Sequence, residues 1–335
     1  MPDLNALKLL DLINGSWKSQ VLHVAAELRL ADHLAGGGRS GAELAEATGA
    51  HAPSLQRLLR ALSALDVVRE VPDGRFELTA MGALLPGLGA WARWCGTFAW
   101  AEWGELLYCV KTGASAREHL SGKPGFSHLE DDPVVAEVFN RAMAELTGLV
   151  AEGVVESYDF SPFRQVVDIG GGYGELLAAI LQRNPGVEGI LFDRPHAIEG
   201  ARRHLGEVGV LDRCQLVTGD FLVEVPSGAD AYVLKSIVHD WADDVANRLL
   251  TACRAAMPAG ARLLLVERVM PAQLTTSAAN QDVVRADLHM LVALGAKERN
   301  EAEFDALLAG AGLVLTDILP AGLGFSVLEA RARQG

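Results

Sequence analysis

Cysteine is scarce and scattered in this 335-residue chain. Its four cysteines, Cys95, Cys109, Cys214 and Cys253, form no Cys-x-x-Cys pair, which argues against a metal knuckle and against a disulfide framework. A reducing, cytoplasmic setting fits that usage. No uninterrupted apolar run approaches the ~20 residues that a membrane span requires. The most apolar stretch, 78–101, is interrupted by Pro86, Arg93 and several glycines, so no membrane partner is expected. Met1-Pro2-Asp3 lacks the basic segment that opens a secretory signal. Positive charge is short as well: 29 Lys and Arg stand against 43 Asp and Glu, a formal net charge of −14. Such a chain repels phosphate backbones at long range, so nucleic acid is not an expected partner. Internal repeats and low-complexity tracts are absent. Half of the residues are hydrophobic and a fifth are charged, a globular composition, and the length suits about two domains.

The first hundred residues read as helices. Leu4, Leu7, Leu10, Leu12 and Ile13 make a rough helical stripe, and a second helix is expected over about 16–34. Ser40-Gly-Ala-Glu43 is a capping-box pattern that starts a third, and a fourth begins near Pro53-Ser54. Two short strands, 67–71 and 75–78, flank Pro72-Asp73-Gly74. Three helices and a small β-wing make a winged-helix pattern over residues 1–95. Arg57 and Arg60 alone offer positive charge on the helix that would read DNA, so a packing or dimerisation module is the better reading and a metabolite-sensing regulator the weaker one. Residues 96–160 read as a helical linker. Trp94, Phe98, Trp100, Trp103 and Tyr108 cluster around its start; such a cluster suits a pocket for a flat ligand and ordinary core equally well.

From 161 to 335 the texture changes. Short β-branched runs at 165–169, 189–192, 214–217, 231–234 and 262–266 alternate with helical segments. That alternation predicts an α/β fold with an open parallel sheet. The last two strands, 313–319 and 325–330, are joined too tightly for a crossover, so they must form an antiparallel pair.

Asp168-Ile-Gly170-Gly-Gly172-Tyr-Gly174 sits at the first strand-to-helix turn. Glycines there let the backbone approach a ligand. The dinucleotide fingerprint fails, because its sixth position is Glu175 counted from Gly170 and Leu177 counted from Gly172. The P-loop ending is absent too. Asp193 ends the second strand, where a carboxylate accepts from ribose hydroxyls, and Asp220-Phe221 follows the third, where an acid and an aromatic suit an adenine. In this order the glycine turn, Asp193 and Gly219-Asp220-Phe221 resemble the class I S-adenosylmethionine-dependent methyltransferases, whose sulfonium ligand carries no phosphate. The resemblance implies a Rossmann-like seven-stranded sheet.

Lys235-Ser-Ile-Val-His239-Asp240-Trp241 follows the fourth strand, Glu267 ends the fifth, and Asp287-Leu-His-Met290 precedes Lys297-Glu298-Arg299. Together these are similar to the plant caffeate/isoflavonoid-type O-methyltransferases and their bacterial antibiotic-biosynthesis relatives. The resemblance covers nearly the whole chain. It implies an N-terminal dimerisation domain and hence a homodimer, a helical stretch that contributes to the acceptor pocket, and a C-terminal catalytic domain. His239 would be the general base, flanked by Glu267 and Glu298. Asp168, Gly170, Gly172, Asp193, Asp220, Phe221 and Lys235 would bind S-adenosylmethionine and its product S-adenosylhomocysteine, and Met143, Asp240 and Met290 would hold a small aromatic acceptor. The stretch between Asp287 and Lys297 is one residue shorter than in the plant enzymes, and 90–135 matches poorly.

A free histidine near pKa ~6.5 lies far below a phenol near ~10, a gap of roughly 5 kcal/mol, so deprotonation is expected to accompany methyl transfer. Asp243 and Asp244 read as helix caps rather than metal ligands, and no metal is expected. N-methylation of a phenazine-like acceptor is the nearest alternative, but a nitrogen needs no strong base. Loss of His239 would have favoured a decarboxylating or hydroxylating relative.

Overall fold

The computed structural model describes residues 3–333, the side chain of Glu130 excepted. The chain divides into two compact units, Met1–Ala101 and Glu102–Gly335. The stretch 96–160, read from sequence as a separate linker, is shared between them.

The first unit contains α1 (Leu4–Ile13), α2 (Gly15–Glu27), α3 (Leu30–Leu34), β1 (Arg39–Ser40), α4 (Gly41–Thr48), α5 (Ala52–Ala64), β2 (Val68–Glu70), β3 (Arg75–Leu78) and α6 (Gly89–Gly96). The single helix expected over 16–34 is in fact two, because Arg29 adopts a left-handed φ of 50° and breaks the hydrogen-bond ladder. The capping box at the start of α4 is present in both directions between Ser40 and Glu43. The wing is an antiparallel sheet of order β1-β3-β2, and its Phe76 packs with Leu44, Leu55, Leu59 and Leu62 into one core. By contrast, α1 buries nothing, and Leu4, Leu9, Leu12 and Ile13 are all exposed.

In the second unit, α7 (Phe98–Gly104, begun in the first unit), α8 (Leu106–Thr112), α9 (Ala116–Ser121), α10 (His128–Asp131) and the long α11 (Pro133–Ser157) precede the sheet. The strands and helices then alternate: β4 (Gln165–Ile169), α12 (Glu175–Arg183), β5 (Glu188–Asp193), α13 (Pro195–Glu207), β6 (Cys214–Thr218), β7 (Ala231–Lys235), α14 (Asp243–Ala256), β8 (Arg262–Met270), α15 (Ala278–Leu294), β9 (Arg299–Asn300), α16 (Glu301–Gly310), β10 (Leu313–Gly322) and β11 (Phe325–Ala332).

The main sheet has the order β10-β11-β8-β7-β4-β5-β6, with the short β9 paired to β8. Strands β4 to β8 run parallel, and β11 and β10 close the edge antiparallel, as the tight connection requires. One buried cluster joins α11, α12 and α13 to one face, and a second joins α14 and α16 to the other. Strands buried on both faces explain the near-continuous runs Val166-Val167 and Leu263-Leu264-Leu265-Val266. The chain leaves β4 toward β5 and β6, then returns past it to β7. That reversal opens a crevice at the carboxyl ends of β4 and its neighbours, where ligands bind in open α/β sheets. Among the described residues, no helix is long and apolar enough to cross a membrane.

Candidate active site

The glycine turn after β4 lies at the crevice. Gly170 has a left-handed φ of 69°, and a Cβ there would stand 2.5 Å from Ile237 Cδ1 and 3.5 Å from Phe221 Cε1. Only glycine lets the backbone pass between them. Asp168 lies beneath the turn: a Cβ on Gly171 would meet its Oδ2 at 2.6 Å. Burial, with the nearby charge of Asp193, pushes Asp168 up to about 7.

At the end of β5, Asp193 accepts from Gly172 N at 2.7 Å and from Arg194 N at 2.6 Å, which ties the turn to the next strand. Burial raises its pKa as well. Asp220, after β6, accepts from Arg194 Nη1 at 2.9 Å and from Leu222 N at 2.8 Å. Lys235, at the end of β7, donates to Thr147 Oγ1 at 3.1 Å, and Nζ lies 5.3 Å from the Phe325 ring centroid. Burial, aided by Arg268, pushes it down to about 8. Thr147 in turn donates to the carbonyl of Met143, one turn back on α11.

His239 is carried on one short helical turn, 238–240, beyond β7. Ser236, at φ 54°, makes the sharp exit from the strand, a conformation a non-glycine residue adopts only under constraint. The imidazole is buried and stands among three carboxylates. Nδ1 lies 2.9 Å from Glu298 Oε1 and 3.7 Å from Glu267 Oε2, and Nε2 lies 3.4 Å from Asp240 Oδ1. The two glutamates therefore do not stand on opposite sides of the ring, as expected from sequence. Both face Nδ1, and the carboxylate facing Nε2 belongs to Asp240.

Glu267 also has a backbone role: its Oε1 accepts from Ile237 N and Val238 N at 3.1 and 2.8 Å. Burial opposes a charged imidazole, but the charges of Glu267, Glu298 and Asp240 outweigh it and push His239 up to about 10. Burial pushes Asp240 up to about 7, against the pull of His239.

Arg299 is a site residue that motif matching alone does not explain. Its guanidinium is fully buried and donates to Val238 O at 2.8 Å, Trp241 O at 2.7 Å and Asp243 Oδ1 at 2.8 Å. It thus brackets the turn that carries His239. Asp243 is accordingly not a helix cap; Ala242 holds that position, and the Asp243 carboxylate is taken by Arg299 and Lys297. Glu298 is fixed from α15, where Asp287 Oδ1 accepts from its N–H at 2.9 Å and the carbonyl of the buried Met290 accepts from Ala296 N at 3.2 Å.

Trp94 is buried against Phe98, Trp100 is exposed, Tyr108 stacks on His119 and Trp103 Nε1 donates to His289 Nδ1 at 3.1 Å. His239, Glu267 and Glu298 bring one nitrogen and two carboxylate oxygens within 4.8 Å of one another. A cation there would have to displace the proton that Nδ1 shares with Glu298.

The turn carries no basic residue from 168 to 177 to meet a phosphate, while carboxylates stand at the ends of β4, β5 and β6. That donor set fits a sulfonium nucleoside. The family comparison agrees. The O-methyltransferase domain family matches residues 103–314, and the O-methyltransferase dimerisation domain family matches residues 10–86. The chain belongs to the O-methyltransferase family.

It is 44% identical over 328 residues to a phenazine O-methyltransferase of Lysobacter antibioticus, covering 96% of this chain and 95% of that one. It is 38% identical to an 8-amino-8-demethylriboflavin N,N-dimethyltransferase of Streptomyces davaonensis, covering 94% and 92%. The crystal structure of human N-acetylserotonin methyltransferase with S-adenosylmethionine superposes with a TM-score of 0.90 at 25% identity, covering 99% of each chain. This O-methyltransferase family member is an S-adenosylmethionine-dependent methyltransferase with a Rossmann-like sheet.

Proposed function

We propose that the chain methylates a hydroxyl of a small aromatic secondary metabolite, with His239 as the residue that meets the acceptor hydroxyl. The observation that carries this is the buried imidazole beyond β7, held among Glu298, Glu267 and Asp240. Nitrogen methylation has no need of such a group. Asp168, Gly170, Gly172, Asp193, Asp220, Phe221 and Lys235 form the cofactor side, and Met143, Asp240 and Met290 the acceptor side. When bound, S-adenosylmethionine supplies a methyl group on an electrophilic sulfonium.

The chain's own work is to orient the hydroxyl, exclude water and manage one proton. A phenol near ~10 is matched by His239, pushed up to about 10. The three carboxylates around the ring favour its protonated form, which narrows the mismatch expected for proton transfer from a phenol to a neutral imidazole. Glu298 fixes the ring through Nδ1, and Glu267 fixes the turn through its backbone.

In this reading residues 1–95 dimerise the chain, 96–160 add helical walls to the acceptor site and 161–335 carry the catalytic domain. The protein works as a cytoplasmic homodimer, without metal. A mass-spectrometric assay with S-adenosylmethionine and a panel of phenols, hydroxyquinones and phenazines tests it. A gain of one methyl on oxygen, lowered by ~10²-fold or more in His239→Ala and unchanged by EDTA, is the expected result. Methylation on nitrogen, or full activity in the variant, would refute the assignment.

A further inference from the structure

We infer that Asn140 is a positioning residue that couples the two halves of the site, so that a bound cofactor tightens the hold on the acceptor. The inference rests on the proposed placement of the cofactor at the glycine turn and of the acceptor against Met143.

Asn140 lies in the interior of α11, where asparagine is a poor helix former, and it is only 6% exposed. A buried amide must find partners or destabilise the fold, and this one finds them on two other elements. Its Nδ2 lies 3.0 Å from His196 Nδ1. An amide nitrogen only donates, so the imidazole nitrogen accepts. The same side chain hydrogen-bonds Tyr173: burial raises the tyrosine pKa, and the bond from Asn140 works against that rise.

Both partners belong to the cofactor side. Tyr173 stands in the glycine turn next to Gly172, whose N–H donates to Asp193 at 2.7 Å. His196 follows Asp193 closely, at the start of α13, where Pro195 fixes the first turn. It is near enough to act on the Asp193 carboxylate. Gly200, one turn further along α13, leaves room for the tyrosine ring, because a Cβ there would collide with Tyr173 Cε1. Tyr173, His196 and Asn140 thus form one cluster against the carboxylate proposed to hold the ribose.

Helix α11 carries that cluster toward the acceptor. Asn140, Met143 and Thr147 are spaced i, i+3 and i+7, which puts them on one face of the helix. Asn140 ties one end of that face to the turn, and Thr147 ties the other by accepting from Lys235 Nζ at 3.1 Å. Met143 lies between the two ties. A ribose on Asp193 must share that carboxylate with Gly172 N–H, so seating it shifts the turn at Tyr173. The shift reaches Met143 through Asn140, along hydrogen bonds and one turn of helix.

Calorimetry on the full chain tests the coupling. S-adenosylhomocysteine stands in for the cofactor, so no turnover occurs. The acceptor is the member of the phenol, hydroxyquinone and phenazine panel bound most tightly in its presence, whether or not it is methylated. In the parent, saturating S-adenosylhomocysteine should lower the acceptor Kd about tenfold. In Asn140→Leu that factor should fall below about 3, while acceptor affinity for the cofactor-free protein changes less than ~2-fold. A merely structural loss would weaken both affinities and leave their ratio. Gly200→Ala, which displaces the Tyr173 ring without altering α11, should lower the factor in the same way and serves if Asn140→Leu does not fold.

A parent whose acceptor affinity is indifferent to S-adenosylhomocysteine overturns the inference, as does a folded Asn140→Leu with the parent's full factor. Methylation on nitrogen removes the proposed oxygen chemistry alone, because the coupling is read from binding.

Discussion

Arg299 has no expected contact with acceptor or cofactor, yet its guanidinium bonds two carbonyls on either side of His239 and Asp240, and one carboxylate. Removing it leaves Val238 O without that donor in the interior, a loss worth about 1–3 kcal/mol. Arg299→Met should therefore lower stability by about 2 kcal/mol, read by urea denaturation. It should also lower kcat more than it raises KM. Arg299→Lys should restore part of the stability but little of kcat, because a single ammonium cannot span both carbonyls.

Titration adds a second expectation at this scale. His239 has a folded pKa raised from 6.5 to about 10. Its contribution is fully present below about pH 6.5 and is lost as pH rises through about 10. Asp240, raised from 3.8 to about 7 by burial, lowers stability in the same direction over its own, more acid window. Between about pH 7 and about pH 10, wild-type stability should fall more steeply than that of His239→Gln.

Glu267 lies on a parallel strand whose carboxyl end converges with its neighbours at one edge of the sheet, and His239 lies just beyond another, whereas Glu298 precedes the short β9 and was legible only through the motif resemblance. Which nitrogen each carboxylate faces was not legible, since that depends on the tight exit at Ser236 and on ring rotation, neither of which has a periodic signature.

Among the elements, the parallel strands were readable because burial on both faces writes continuous β-branched runs. Helix α15 has no clean apolar stripe: Val283, Met290, Val292 and Ala293 are its buried residues, and Asp287 and His289 point to polar partners. Its job is to present groups to the site, which blurs its pattern. The break between α2 and α3 was hidden because arginine rarely adopts a left-handed φ.

The same rule identifies a weak point in the final hairpin. Leu323 and Gly324 form its two-residue turn, both at positive φ, 49° and 78°. Such turns favour Asn-Gly, and a leucine there is strained by about 1–2 kcal/mol. Leu323 is also well exposed, so little burial offsets the strain. Leu323→Asn should raise stability by about 1 kcal/mol in equilibrium denaturation with methyl transfer unchanged.

For the whole molecule, the two compact units divide the labour that the two family matches describe, one on residues 10–86 and one on residues 103–314. The catalytic unit has a core on each face of its sheet and needs no help to bury it. The first unit does not cover its own surface. Leu9 and Leu12 are 59% and 75% exposed on a helix that buries no residue, and Trp17 beyond it is 67% exposed. Apolar side chains at that density at one end of a chain are the mark of an association surface, and the dimerisation-domain match lies partly on the same helix. Covering the helix with a second copy gives a closed, two-fold contact. Leu9 and Leu12 lie three apart and share a face, so Leu9→Glu/Leu12→Glu should place two carboxylates at the contact of each copy. Light scattering should then read a monomer for the double variant against a dimer for the parent. The catalytic unit should still bind S-adenosylhomocysteine in calorimetry, because its core is its own. A double variant that remains dimeric would move the interface off α1 and leave its exposed leucines without an account.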